Sequence, residues 1–222
     1  MDALIKRIIW AIWAAPVIYL AAVWNKLPEK VPMHYNLSGE PDRFGNKTEL
    51  LIVLAIMLAV NIGVYFLLVN INRIDPKKKY RDENRPRMRR LAFAVSIFVS
   101  AITCFIIYSS IGSSPKFNSK IIVIAVGLLF TVVGNYMYNI KPNYFAGIRL
   151  PWTLENEDNW KQTHLLAGKL WFAGGLFIAL MALLLPGKAT LICTFAVLAI
   201  ITVIPAVYSY RLFKQGQAHS SK

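Results

Sequence analysis

Two cysteines in 222 residues, and 11 acidic residues against 25 basic ones, are the first shortages in this chain. Cys104 and Cys193 each fall inside a long apolar run, so neither a disulfide framework nor a CxxC metal or redox motif exists. The chain also lacks any extended polar stretch long enough to build a second core, which excludes a separate soluble domain. Above all, six apolar runs carry no Asp, Glu, Lys, Arg or His: 8–24, 50–71, 91–111, 121–138, 170–185 and 191–210. Coupled transporters usually keep ionisable groups at mid-membrane, so this gap weighs against a small transporter or exporter, the alternative reading. His164 is a lone histidine with no nearby cysteine, serine or paired carboxylate, and so is not expected to act in catalysis. His34, Glu40 and Asp42 are too few and too loosely spaced to define a metal site. No catalytic residue, bound metal or cofactor is expected.

Hydrophobic residues make up 56% of the chain and the mean hydropathy is +0.47. Each apolar run is near the length that crosses a ~30 Å hydrocarbon core as a helix. The expected fold is therefore all-α: one integral membrane domain, 1–222, with six transmembrane helices. The fifth run is short, and its helical pattern runs back through Lys169 to about Leu165. The first run is read as a span too, since its exit Asn25-Lys26-Leu27-Pro28 lacks the small-x-small pattern of signal cleavage.

Charge sets the expected orientation. With the N-terminus inside, the inner segments hold 18 of the 25 basic residues, which places both termini in the cytoplasm. Much of this charge sits in a basic cytoplasmic loop, 72–90, with nine basic and three acidic residues. Anionic membrane lipids are its natural partner, and direct nucleic-acid binding is not expected.

Two connections carry more than charge. The extracytoplasmic loop 25–49 is rich in turn formers (Gly39, Pro41-Asp42, Gly45-Asn46), and Pro28 and Pro32 favour extended backbone before them. The cytoplasmic loop 139–164 is irregular through KPNYFAGIRLPW and then helical. Thr153 is its candidate N-cap, acidic residues occupy its opening turns, and Glu157 and Lys161 are spaced to pair. Trp160, His164, Ala167, Trp171 and Gly175 form one face of that helix, with Gly168 and Gly174 beside it to admit a neighbouring helix closely. Arg149, with five donors, is suited to organising loop carbonyls.

The stretches VPMHYNLSGEPDRFGNK and GNYMYNIKPNYFAGIRLPWTLENEDNWKQTHLLAGKLWFAGG resemble the SdpI family of bacterial membrane proteins. The first is similar to that family's N-terminal extracytoplasmic module and the second to its C-terminal signature, with Leu150 where Thr is often found. The resemblance implies an immunity or sensor protein without chemistry, which meets a secreted peptide toxin outside and holds a cytosolic transcriptional repressor at the membrane. By position, His34, Asn36, Gly39, Glu40, Pro41, Asp42 and Gly45 face the toxin. Asn135, Lys141, Pro142, Asn143, Gly147, Arg149, Pro151, Trp152, Thr153, Trp160 and His164 bind the inner partner or shape the inner loop.

Overall fold

The structure is a computed structural model and describes residues 2–36, 40–111 and 118–220. Its helices are α1 (Asp2–Val23), α2 (Lys47–Ile74), α3 (Arg81–Ser109), α4 (Ser119–Met137), α5 (Pro151–Glu155), α6 (Glu157–Leu184) and α7 (Gly187–Ser220). All but α5 are long and apolar enough to cross a membrane. Their outward residues confirm the solvent they were built for: Trp10, Leu184, Phe195 and Ile192 are each about two-thirds exposed or more, a surface suited to acyl chains. The membrane spans are thus as expected, and α6 extends the fifth well upstream of its apolar run.

The chain forms two compact units, Met1–Leu67 with Ala92–Ile122, and Leu68–Leu91 with Val123–Lys222. In the first, the connection after α1, for all its turn formers, is an antiparallel β-hairpin, β1 (Lys30–Tyr35) and β2 (Pro41–Asn46). Val31 is fully buried against Leu20, Val23, Leu27, Leu50, Leu54 and Ile107, so the hairpin is seated on α1, α2 and α3. Glu49 accepts the Asn46 amide at 3.0 Å, one half of a capping box that starts α2 directly from β2. On α2, Asn61 Nδ2 donates to the Ser96 carbonyl and to Ser100 Oγ of α3, a polar tie of the kind that joins helices in lipid.

In the second unit, α4 and α6 pack antiparallel, backbone on backbone. A Cβ on Gly127 would lie 2.6 Å from the Gly175 carbonyl oxygen, and one on Gly168 would lie 2.6 Å from the Tyr138 backbone. Only glycine permits this approach. On α7, Pro205 has no N–H to give the Ile201 carbonyl four residues back. The Trp171 indole of α6 supplies that donor at 3.0 Å.

Two expectations need correction. Most of 72–90 is not loop: α2 continues to Ile74, stops at Asp75-Pro76, and α3 already begins at Arg81 after a single turn of tighter helix. Thr153 does not cap the fifth span. Pro151–Glu155 is a separate short helix, and extended Asn156 caps α6 by accepting the Asn159 amide at 2.8 Å. Asn is at least as good a cap as Thr, and the Thr153 hydroxyl is committed elsewhere.

Candidate functional site

The hairpin presents the first group of expected residues. Register irregularities fall on either side of His34, and Asp42 is left out of the ladder between Arg43 and Pro41. Such bulges re-aim side chains: Asp42 Oδ1 meets His34 Nδ1 at 2.6 Å, with the two side chains 44% and 66% exposed. Toward the turn, Asn36 N donates to the Glu40 carbonyl and Glu40 N to Asn36 Oδ1. Asn36 and Glu40 therefore close the turn, and Gly39 lies outside the described residues. Gly45 lets the Glu49 side chain fold over the strand, since a Cβ there would sit 2.6 Å from its carboxylate. At the base, Lys47 Nζ pairs with Glu29 at 2.6 Å. Phe44 is 52% exposed, an apolar side chain on a hairpin otherwise covered in polar groups. Burial raises the Tyr35 phenol above its ordinary pKa, so the ring is neutral.

The second group is assembled around the irregular backbone 138–150. Nonhelical backbone next to a membrane span must find its hydrogen bonds within the protein, and side chains supply them here. The Asn84 amide of α3 grips Lys141 at two points, donating to its carbonyl at 3.1 Å and accepting from its N–H at 3.0 Å. Asn143 accepts from Phe145 N and Ala146 N and donates to the Lys141 and Ala146 carbonyls. Asp75, buried at the end of α2, accepts from Tyr144 N and Lys77 N. The Trp160 indole donates to the Ile140 carbonyl at 2.9 Å. Arg149 Nη1 donates to the Tyr144 carbonyl at 2.9 Å while the side chain stays exposed, the organising role its donors suggest.

His164 is the centre of this arrangement. Its Nδ1 faces the Trp160 carbonyl at 2.8 Å and its Nε2 faces Ile148 N–H at 2.9 Å. Both bonds form together only in the neutral ring protonated on Nδ1. The imidazole stacks on Trp160, centroids 3.9 Å apart, and Gly147 passes above it at φ +107°. A Cβ on Gly147 would fall 2.3 Å from His164 Nε2. With both nitrogens committed to backbone, the ring is a fastening for the loop and not a proton carrier.

α5 is fastened in turn. Pro142 is buried, and Pro151 opens α5 at the position where a missing N–H costs nothing. Thr153 Oγ1 accepts from Leu150 N at 2.9 Å and lies within donating distance of the Ile148 and Leu150 carbonyls. The Trp152 indole donates to Ser209 Oγ of α7 at 2.7 Å and its ring stacks on Phe213. Ser209 Oγ and Thr163 Oγ1 both donate to Asn159 Oδ1, and Asn159 Nδ2 returns a bond to the Ser209 carbonyl. Glu157 takes Lys79 and Tyr80 of the α2–α3 connection as partners, at 2.9 and 2.5 Å, in place of the expected pairing with Lys161. Lys77 Nζ also reaches the Leu154 carbonyl.

The inner loop thus gathers every expected residue but one. Asn135 stands exposed on α4 in a shallow groove with Gly134, Tyr138 and Phe172, apart from the hydrogen-bonded loop. The residues missed beforehand are Asp75, Asn84, Asn159, Thr163 and Ser209. An Asp immediately before Pro76 was one available signal; Asn84 was obscured by the arginines around it.

Such an architecture, six apolar helices with a capped hairpin and a polar loop satisfied by side chains, defines a multi-pass membrane protein. The SdpI/YfhL protein family model matches residues 139–209, and a family described as a domain of unknown function (DUF1648) matches 11–58. The chain is 21% identical to the immunity protein SdpI of Bacillus subtilis over 193 residues, 87% of this chain and 88% of that protein. It is 44% identical to an uncharacterized protein of Archaeoglobus fulgidus over 45 residues, 20% of this chain and 22% of that one. No solved structure matches. Residues 139–209 thus carry the SdpI/YfhL family pattern, residues 11–58, which include the hairpin, carry that of the second family, and the chain is a multi-pass protein of the bacterial membrane.

Proposed function

We propose that this protein confers resistance to a secreted antimicrobial peptide by binding it on the hairpin outside the membrane, and that the loaded protein holds a cytosolic transcriptional repressor at the inner face. The observation that carries the reading is similarity to an immunity protein along nearly its whole length. The geometry supports it: a hairpin locked at its base and turn offers exposed Phe44, His34 and Asp42 in fixed positions, so a peptide meets a preformed surface. At the inner loop the roles divide by burial. Asn143, Gly147, Thr153, Trp160 and His164 shape the loop, whereas exposed Arg149 and Tyr144 are left to meet a partner.

The test is survival of a peptide-sensitive bacterium expressing this protein under challenge by culture supernatants of peptide-secreting strains. Its comparison is His34→Ala/Asp42→Ala at matched membrane abundance. An exposed pair of this kind contributes at most about 1 kcal/mol to folding, so the variant removes surface chemistry and leaves the protein folded. Protection by the wild type and its loss in the variant are expected. No protection by the wild type against any supernatant overturns the reading.

A further inference from the structure

Where α2 ends and α3 begins, four arginines line one concave pocket of about 380 Å³: Arg73 from α2, and Arg81, Arg85 and Arg89 from α3. The α3 residues are four apart, so they rise in a row along one helix face. Like charges at that spacing repel and weaken a helix by about 0.2–0.5 kcal/mol per pair, and Asp82 is the single acidic residue in the lining. The guanidinium groups of Arg73, Arg81 and Arg85 have no hydrogen bond or ion pair with the described residues. This sets them apart from Arg87 on the same helix, which donates to the Glu83 carbonyl at 2.6 Å. Four guanidinium groups brought together with a single carboxylate, beside the N-terminal end of a 29-residue helix, form a concentrated positive site.

We propose that this pocket binds a phosphate-bearing anion, and that its resident ligand is the headgroup of an anionic phospholipid. Guanidinium matches phosphate in bidentate geometry, and the concave shape suits one compact anion better than an extended acidic surface. Its position favours a lipid over a free ion. The apolar stretch of α2 ends at Ile71 and that of α3 resumes at Leu91, so the arginines stand at the edge of the hydrocarbon-matched segments, where phosphodiesters lie. Val69 adds an apolar wall on the membrane side of the lining.

The full-length protein, purified in detergent, is incubated in turn with phosphatidylglycerol, phosphatidylcholine and inorganic phosphate. Bound lipid is counted by native mass spectrometry, and the thermal unfolding midpoint is recorded. Phosphatidylglycerol is expected to be retained and to raise the midpoint, with phosphatidylcholine inert. Arg81→Gln/Arg85→Gln is expected to weaken retention roughly 30-fold, from about fivefold per arginine facing an anionic headgroup. Arg87→Gln keeps wild-type retention. Arg85→Lys, which preserves charge, separates lost binding from lost folding, since it should retain an intermediate share. A midpoint raised by inorganic phosphate as much as by phosphatidylglycerol supports the anion site and identifies a free ion as its ligand. Equal loss of lipid in Arg87→Gln and in the double variant, or no response to either phosphate source, overturns the proposal.

Discussion

Replacing Gly147 by Ala attacks the inner loop at its tightest point. An L-residue at φ +107° carries a backbone strain of about 1–3 kcal/mol. The added methyl would also stand 2.3 Å from His164 Nε2, inside the space of the hydrogen bond from Ile148. The ring has nowhere to retreat, because it is stacked on Trp160 and its other nitrogen is bonded to the Trp160 carbonyl. Losing its acceptor strands a buried N–H, a further cost of about 1–3 kcal/mol. Gly147→Ala is therefore expected to destabilise by about 2–6 kcal/mol. His164→Ala alone should cost about 3 kcal/mol, through its cavity and the same stranded N–H. The double variant separates the terms, since without the imidazole there is no clash and the Ile148 bond cannot be lost twice. It should fall short of the sum by about 1–3 kcal/mol, the strain term alone remaining additive. Equilibrium unfolding in mixed micelles, followed by tryptophan fluorescence, measures the cycle. Additivity within about 0.5 kcal/mol would refute the fastening role assigned to His164.

At the α4–α6 crossing, Gly168→Ala places a methyl 2.6 Å from the Tyr138 backbone; overpacking of this kind costs about 1–3 kcal/mol. Gly216→Ala, with nothing near its Cβ, should be neutral or stabilising in the same unfolding assay. Leu150 is extended, at φ −99° and ψ 153°, and accepts Thr153 N–H through its carbonyl but has no capping side chain. Leu150→Thr adds the missing oxygen and should stabilise by about 0.5–1 kcal/mol, read as a higher thermal midpoint. Arg149→Ala and Trp152→Ala remove a loop carbonyl's donor and the α5–α7 fastening, whereas exposed Lys78 makes no comparable contact with the described residues. Protection or folded yield should therefore fall for the first two and hold for Lys78→Ala. Equal tolerance of all three would contradict that ranking.

The spans were legible because hydropathy over about twenty residues is a property of a segment by itself. The stripe from Trp160 to Gly175 was legible for the same reason, being a periodicity within one helix. The hairpin was not: KVPMHY and PDRFGN contain proline and few β-branched residues, and they lack clean alternation. Its strands are held by burial of Val31 and by Glu49 at the base, and neither contact is marked in the local pattern. The helical pattern after Thr153 marks it as a cap, but a hydroxyl bonded to Leu150 N is not free to cap the next turn. Least legible were Asp75 and Asn84. Their partners lie 69 and 57 residues away, and nothing local distinguishes an asparagine that will grip a distant peptide from one that faces water.

That distribution of partners indicates where recognition is free to reside. In the inner loop, each of Asn84, Asn143, Asp75, Trp160 and His164 satisfies backbone groups that water cannot reach well, so changing any one strands a donor or acceptor. The segment matched by the family model, 139–209, begins with this loop and includes α6 and most of α7, as expected if a common scaffold has to solve the same hydrogen-bonding problem. The hairpin distributes its constraints differently. Val31, Gly45, Asn36 and Glu40 fix its base and turn, whereas His34, Asp42, Arg43 and Phe44 project from a ladder that would persist without them. Side chains on that face can be exchanged at little cost in folding, and the peptide selectivity proposed for the hairpin requires that freedom.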